Sequence, residues 1–151
     1  MELIVRKSWR QGDFVISTDK DRLDVDTIHD YLSSESYWAE GRSIDVVRKS
    51  IEHSLCFGVY KAGKQAGFGR VVTDYATFAW LCDVFILDAY RGLGLGKWLI
   101  ECVTRFETMP NVKIWILATK DAHELYRRYG AFETLENPER WMIRWNVDDL
   151  Q

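Results

Sequence analysis

The segment Arg91-Gly92-Leu93-Gly94-Leu95-Gly96-Lys97 concentrates the residues best suited to chemistry. Its three glycines, at alternate positions, remove the Cβ atoms that would hold a ligand away from the backbone. An almost continuously apolar run, TFAWLCDVFIL (77–87), leads into it. After it, Leu95, Trp98, Leu99, Cys102, Val103 and Phe106 recur at the spacing of an amphipathic helix. A strand turning through glycines into a helix leaves the first helical amides unpaired and pointing outward, at the positive end of the helix dipole. With Arg91 and Lys97 beside it, this turn is an anion site suited to a phosphate or pyrophosphate.

Spacing excludes two familiar phosphate loops. A P-loop needs G-x-x-x-x-G-K-[ST], but Arg91 stands five residues before Gly96 and Trp98 takes the Ser/Thr place. A dinucleotide G-x-G-x-x-G starting at Gly92 meets Lys97, and one starting at Gly94 meets Leu99. The pattern that fits is R-x-x-G-x-G, with Arg91, Gly94 and Gly96.

This pattern resembles the pyrophosphate loop of the GCN5-related N-acetyltransferase (GNAT) family, whose members bind acetyl-coenzyme A (acetyl-CoA). The frame around it agrees. DVFILDAYR (83–91) is similar to the family's strand before the loop, with Asp88 where proline is commonest. AHELYRRYGAF (122–132) is similar to its later short helix, with Ala122, Leu125, Tyr126 and Gly130 in place and one extra alanine before Phe132. VYKAGKQAGFGRVV (59–72) resembles its central hairpin. The resemblance spans nearly the whole chain. It implies an α+β fold with a twisted, mostly antiparallel sheet of six to seven strands and about four helices. It also implies acetyl-CoA as co-substrate, with the pyrophosphate on Arg91, Gly92, Leu93, Gly94, Leu95, Gly96 and Lys97. The backbone of Val84, Phe85 and Ile86 would hold the thioester and pantetheine and offer amides to the carbonyl oxygen.

Within the short helix, Ala122, Leu125, Tyr126 and Tyr129 share one face, so Tyr126 points toward the sheet. The resemblance sets its hydroxyl beside the coenzyme sulfur. A tyrosine titrating near 10 keeps its proton at neutral pH and can donate it to a leaving thiolate; the alternative is a core tyrosine. The family often has asparagine where this chain has Thr119, and Thr119 or Asp121 is expected to cap the helix, with Glu124 completing the box. The acceptor amine must be neutral to attack. At pH 7 this costs about 4.6 kcal/mol for a lysine-like amine but only about 1 for an α-amino group. Asp83, a lone carboxylate in an apolar strand, is either the base that helps or the structural partner of Arg70. By resemblance, the connection between the first two helices lines the acceptor pocket. There Tyr37 and Trp38 could cradle an ammonium or an apolar group, or simply seal the helices, while Arg42 could clamp a carboxylate.

Elements must hold these groups in place. Phe14–Ser17 is read as a first strand, and 24–32 and 43–53 as two helices, the second capped by Ser43. Strands are expected at 55–61, 65–75 and 77–87, the first two joined by a glycine-containing hairpin, and the third buried on both faces. A buried strand at 112–118, a short helix at 121–130 closed by Gly130, and a last strand RWMIRWNV (140–147) complete a mixed sheet with one parallel crossover. No linker or repeat divides the chain, so 1–151 reads as one domain.

Composition narrows the class. Of 151 residues, 47% are hydrophobic and 28% charged, which excludes disorder and fibrous repeats. A net charge of −3 argues against gripping nucleic acid through many phosphates. No apolar run is long enough to span a bilayer and no signal peptide is evident, so a cytoplasmic protein is expected. Cys56, Cys82 and Cys102 are widely spaced and read as reduced, buried side chains. His29, His53 and His123 share no metal-ligand spacing, so no metal is expected. The leading reading is therefore an N-acetyltransferase acting on a small amine, amino acid or peptide terminus. The other is a non-catalytic module that senses acetyl-CoA. A homodimer paired through an edge strand such as 140–147 fits either reading.

Overall fold

The computed structural model describes residues 6–109 and 111–146. Six strands make one sheet in chain order: β1 (Ser8–Gln11), β2 (Phe14–Ser17), β3 (Leu55–Lys61), β4 (Lys64–Thr73), β5 (Phe78–Ile86) and β6 (Ile114–Ile116). All neighbours are antiparallel except β5 and β6, which run parallel and are joined through helix α3 (Leu95–Thr104). Helices α1 (Val25–Asp30) and α2 (Ile44–Glu52) fill the connection from β2 to β3, and α4 (His123–Gly130) follows β6. The expected α+β architecture is thus present, with a six-stranded, mostly antiparallel sheet and four helices among the described residues.

The helices cover opposite faces. Ile28 and Leu32 from the α1 side and Val47 and Ile51 from α2 pack on Phe68 and Phe85. On the other face, Leu95, Leu99, Ile100 and Val103 of α3 pack on Phe57, Val71 and Leu81, and Tyr126 of α4 joins them. Leu99 and Ile100 are fully buried, each contributing roughly 1.5–3 kcal/mol of apolar burial. Asp24 and Ser43 cap α1 and α2, accepting from the amides of Thr27 and Val46. Gly130 ends α4 for steric reasons, since a Cβ there would lie 2.9 Å from both Ile100 and Phe132. The left-handed residue that turns the chain is Ala131 (φ 57°).

Several expectations need correction. β1 escaped the sequence reading because Ser-Trp-Arg-Gln has little apolar alternation and stays largely exposed. The strand read at 112–118 shrinks to three half-covered residues at the sheet edge. β5 alternates buried and exposed positions along its first half, with Phe78 and Trp80 open to solvent, so it is not buried on both faces. Residues 141–146 form no strand, and their side chains, including Trp141, Ile143 and Trp145, are exposed; Val147 lies outside the described residues. The expected cap of α4 is also absent. Thr119 Oγ1 instead accepts from the Ala122 amide, and Glu124 pairs with Arg127.

Candidate active site

β5 pairs with β4 over most of its length but with β6 only at Phe78–Trp80. Beyond Trp80 the edge of β5 that would face β6 meets no strand, so its backbone groups there are open to a ligand. The same stretch carries a β-bulge. Phe85 pairs with Phe68 and Cys82 with Arg70, leaving Asp83 and Val84 opposite Gly69 alone. The bulge switches the faces: Ala79 and Leu81 join the core under α3, whereas Phe85 joins the core under α1 and α2. Asp83 sits at the switch with a left-handed backbone (φ 53°), which Asp tolerates better than most residues.

That placement brings Asp83 under three donors from distant parts of the chain. Its Oδ1 accepts the Trp38 indole N–H at 2.8 Å, and its Oδ2 accepts Arg42 Nη1 at 2.8 Å and Arg70 Nε at 2.9 Å. Arg70 also donates to Ser54 Oγ at 3.0 Å. The Asp83 carboxylate is 2% exposed and both of its oxygens are engaged. Pairing with Arg70 was the structural alternative read from sequence. The links to Trp38 and Arg42 tie the segment between α1 and α2 to the sheet.

Trp38, Arg42, Arg70 and Asp83 line a cavity of about 580 Å³ that also touches Tyr37, Trp80, Cys82, Thr119, Tyr126 and Trp145. Tyr37 closes one side, its hydroxyl accepting from the Lys120 amide at 2.8 Å and its ring lying 5.5 Å from the Lys120 ammonium. Tyr126 is buried, as its helical face predicts, yet its hydroxyl bonds to no described residue. Burial pushes this phenol up to about 12, so it stays protonated at neutral pH. The Cys82 thiol is likewise pushed up to about 12 by burial, leaving no thiolate for nucleophilic attack.

At the far end of β5 lies the glycine turn. Gly92 and Gly94 both take left-handed conformations (φ 80° and 79°), and a Cβ at either would meet only open space. The first helical bond of α3 runs from the Trp98 amide to the Gly94 carbonyl, so the amides of Leu95, Gly96 and Lys97 precede it. No side chain caps this end. Arg91 braces the turn from within: Nε donates to the Ile86 carbonyl, Nη2 to the Tyr31 hydroxyl, and Nη1 pairs with Asp88. Leu93 is exposed, and the Lys97 ammonium lies over the Tyr129 ring. Val84 and Ile86 are half-buried along the open edge, while Phe85 turns inward and stacks on Tyr31 at 4.1 Å.

Sequence reasoning missed Trp80, Cys82, Lys120 and Trp145 as cavity residues and Tyr31 as the partner of Arg91. Trp80 carried a usable signal, an alternating position on the same strand as Asp83. Tyr31 carried none, because its partner lies 60 residues away.

Comparisons with known proteins bear on the family and the fold. The family model for an acetyltransferase (GNAT) domain matches residues 52–130, just over half of the chain. A solved structure from Xanthomonas campestris pv. campestris, assigned to the GNAT family as an acetyltransferase, is 42% identical to this chain. It superposes with a TM-score of 0.84 and covers 87% of this chain and 92% of its own. A Gibberella zeae protein whose acetyltransferase name is itself provisional is 30% identical, over 80% of this chain and 79% of its own. A Clostridium acetobutylicum protein described as a predicted acetyltransferase and solved with acetyl-CoA shares the fold at a TM-score of 0.60 with 10% identity, over 87% and 94% of the two chains.

Proposed function

The chain belongs to the GNAT acetyltransferase family and is an acyltransferase, and from that premise we propose that it moves the acetyl group of acetyl-CoA to a primary amine by direct attack in a ternary complex. The observation that carries the proposal is the open edge of β5. It joins the unpaired amides of the glycine turn to a cavity holding a protonated, unbonded tyrosine hydroxyl.

In this reading the coenzyme pyrophosphate lies on the amides of residues 95–97, helped by Lys97, while Arg91 keeps the turn in shape. The pantetheine and thioester run along Val84–Ile86. The neutral amine attacks the thioester carbon, and the carbonyl oxygen gathers charge against the β5 backbone amides. A C–N bond forms and the C–S bond breaks, the sulfur leaving with its electron pair. Tyr126 gives the sulfur a proton and regains one from solvent, while the proton shed by the amine passes to water. Asp83 acts as an anchor in this scheme, because a proton on either oxygen would displace a guanidinium or an indole already bound there. Tyr37, Trp38 and Arg42 contact the acceptor, which is a small amine, an amino acid or a peptide terminus. The proposal needs no metal and includes a single domain in a cytoplasmic setting, which three unpaired cysteines suit. No described helix is long and apolar enough to cross a membrane. Pairing of two copies along the open edge of β6 belongs to the same reading and is checked by light scattering.

The test is calorimetric titration with acetyl-CoA of the wild-type protein and of the double variant Arg91→Ala, Gly94→Ala, followed by thiol-release assays on amines. Binding in the wild type, its loss in the variant, and turnover that depends on Tyr126 are expected. Binding without consumption would instead identify an acetyl-CoA sensor, and no binding by folded wild-type protein would remove the enzyme reading.

A further inference from the structure

The charges around the cavity do not suit every amine. Arg42, Arg70 and Lys120 bring three positive charges, and Asp83 and Asp121 bring two negative ones. The buried acid among these, Asp83, is fully taken up by two guanidinium groups and an indole. The deep end therefore offers no carboxylate to the ammonium of an incoming acceptor, and its net charge is positive. Beside Arg42 and Arg70 a polyamine, or any acceptor with several cations, would find no free carboxylate, since the other acid of the lining, Asp121, is solvent-exposed.

Arg42 also has donors to spare. Its Nη1 is held by Asp83, whereas Nε and Nη2 bond to no described residue, and its side chain is partly exposed at the cavity wall. A guanidinium fixed by one amino group and open along its other edge matches a carboxylate in a forked pair. Asp83 supplies the fixing, so less freedom is lost when a ligand docks.

The remaining wall is aromatic. Tyr37, Trp38, Trp80 and Trp145 all line the cavity and all stay substantially exposed. Four large rings left in water around one hollow provide the apolar surface on which a hydrophobic side chain gains most.

We infer that the acceptor is a small zwitterion, an α-amino acid whose carboxylate lies on the open edge of Arg42 and whose large apolar or aromatic side chain lies among Trp38, Trp80 and Trp145. This rests on the acetyltransferase reading above and narrows it. A peptide terminus, which lacks the adjacent carboxylate, and a cationic amine are both excluded by it. The amine pKa of a free amino acid still requires proton loss to water before attack, and the product is the N-acetyl amino acid with free coenzyme A.

The test compares L-phenylalanine with L-phenylalaninamide, and with spermidine, as acceptors in the thiol-release assay. The amide keeps the ring and replaces the carboxylate with a neutral group of the same shape. Its amine is also less basic, so a larger share is neutral at pH 7.5, and any bias from protonation favours the amide. Preference for L-phenylalanine of at least about tenfold in kcat/KM is expected from a charge-assisted fork. In Arg42→Ala that ratio should fall to about one or below, since only the protonation bias toward the amide remains. If Arg42→Ala fails to fold, Arg42→Lys keeps the charge without the fork and should still cut the ratio several-fold. Equal or faster turnover of the amide, or of spermidine, by the wild type overturns the inference and leaves the acetyltransferase reading intact. No turnover of any of the three by protein that binds acetyl-CoA also overturns it. Failure to bind acetyl-CoA removes the broader reading instead.

Discussion

Replacing Asp83 with asparagine separates an anchoring carboxylate from a catalytic base. The side chain keeps its size, and asparagine accepts the left-handed backbone at this bulge as readily as aspartate does, so backbone strain does not confound the result. The charge and one acceptor oxygen are lost. Three donors at 2.8, 2.8 and 2.9 Å then compete for a single oxygen, and the new amide group points at a guanidinium or an indole N–H. Arg70, about 10% exposed, keeps only the Ser54 hydroxyl as a partner. Breaking a buried pair by removing one member costs about 3–5 kcal/mol, and the isosteric change belongs at the lower end, about 3. For a chain of this size each kcal/mol shifts the melting temperature by about 2–4 °C, so Asp83→Asn should melt about 6–12 °C below wild type. Circular dichroism melts, with urea titrations as a check, measure the shift. Steady-state rates at 25 °C, where the variant is still folded, should show a raised acceptor KM with most of kcat retained, because the loosened parts are Trp38 and Arg42. A variant that melts within about 2 °C of wild type yet loses more than about 100-fold in kcat would refute the anchor and make Asp83 the base.

Tyr126→Phe should lower kcat by about 10²–10⁴-fold with little change in acetyl-CoA affinity, since it removes only a proton donor. Because burial holds that phenol near 12, the wild-type rate should show no loss from tyrosine ionisation up to about pH 10, as a pH–rate profile would reveal. Stability should fall as pH rises above about 9: folded Cys56 and Cys82 hold their protons until about 12 and Cys102 until about 11, whereas the unfolded chain releases them near 9.0. Urea midpoints at pH 7, 9 and 10 measure the decline, and a flat profile contradicts the burial argument. Gly130→Ala should destabilise by about 1–3 kcal/mol, because its Cβ would press on Ile100 and the Phe132 ring at 2.9 Å; an unchanged melting temperature would show that α4 shifts freely on α3.

The features that sequence alone determined are those written in neighbouring residues. Hairpin β3–β4, the Ser43 cap and the buried stripe of α3 follow from periodicity and turn chemistry that act within a few residues. So does the glycine turn, because left-handed backbone and a helix start are local demands. Tyr126 was legible for the same reason, through the face it shares with Ala122 and Leu125. Tertiary structure decided the rest. Asp83 read either as a base or as a partner for Arg70 until the chain brought Trp38 and Arg42 to it from 45 and 41 residues away. The bulge that turns Asp83 toward them leaves no mark in the β5 sequence, since it consists of one strand's register against another. The parting of β5 from β6 has the same origin, as does the lack of a strand at 141–146, within the segment 140–147 read as one. An alternating pattern such as Trp-Met-Ile-Arg-Trp states that a segment could pair, whereas pairing depends on where a partner edge lies. Geometry carried by single residues and short turns is local and was readable; geometry assembled across the sheet required the fold.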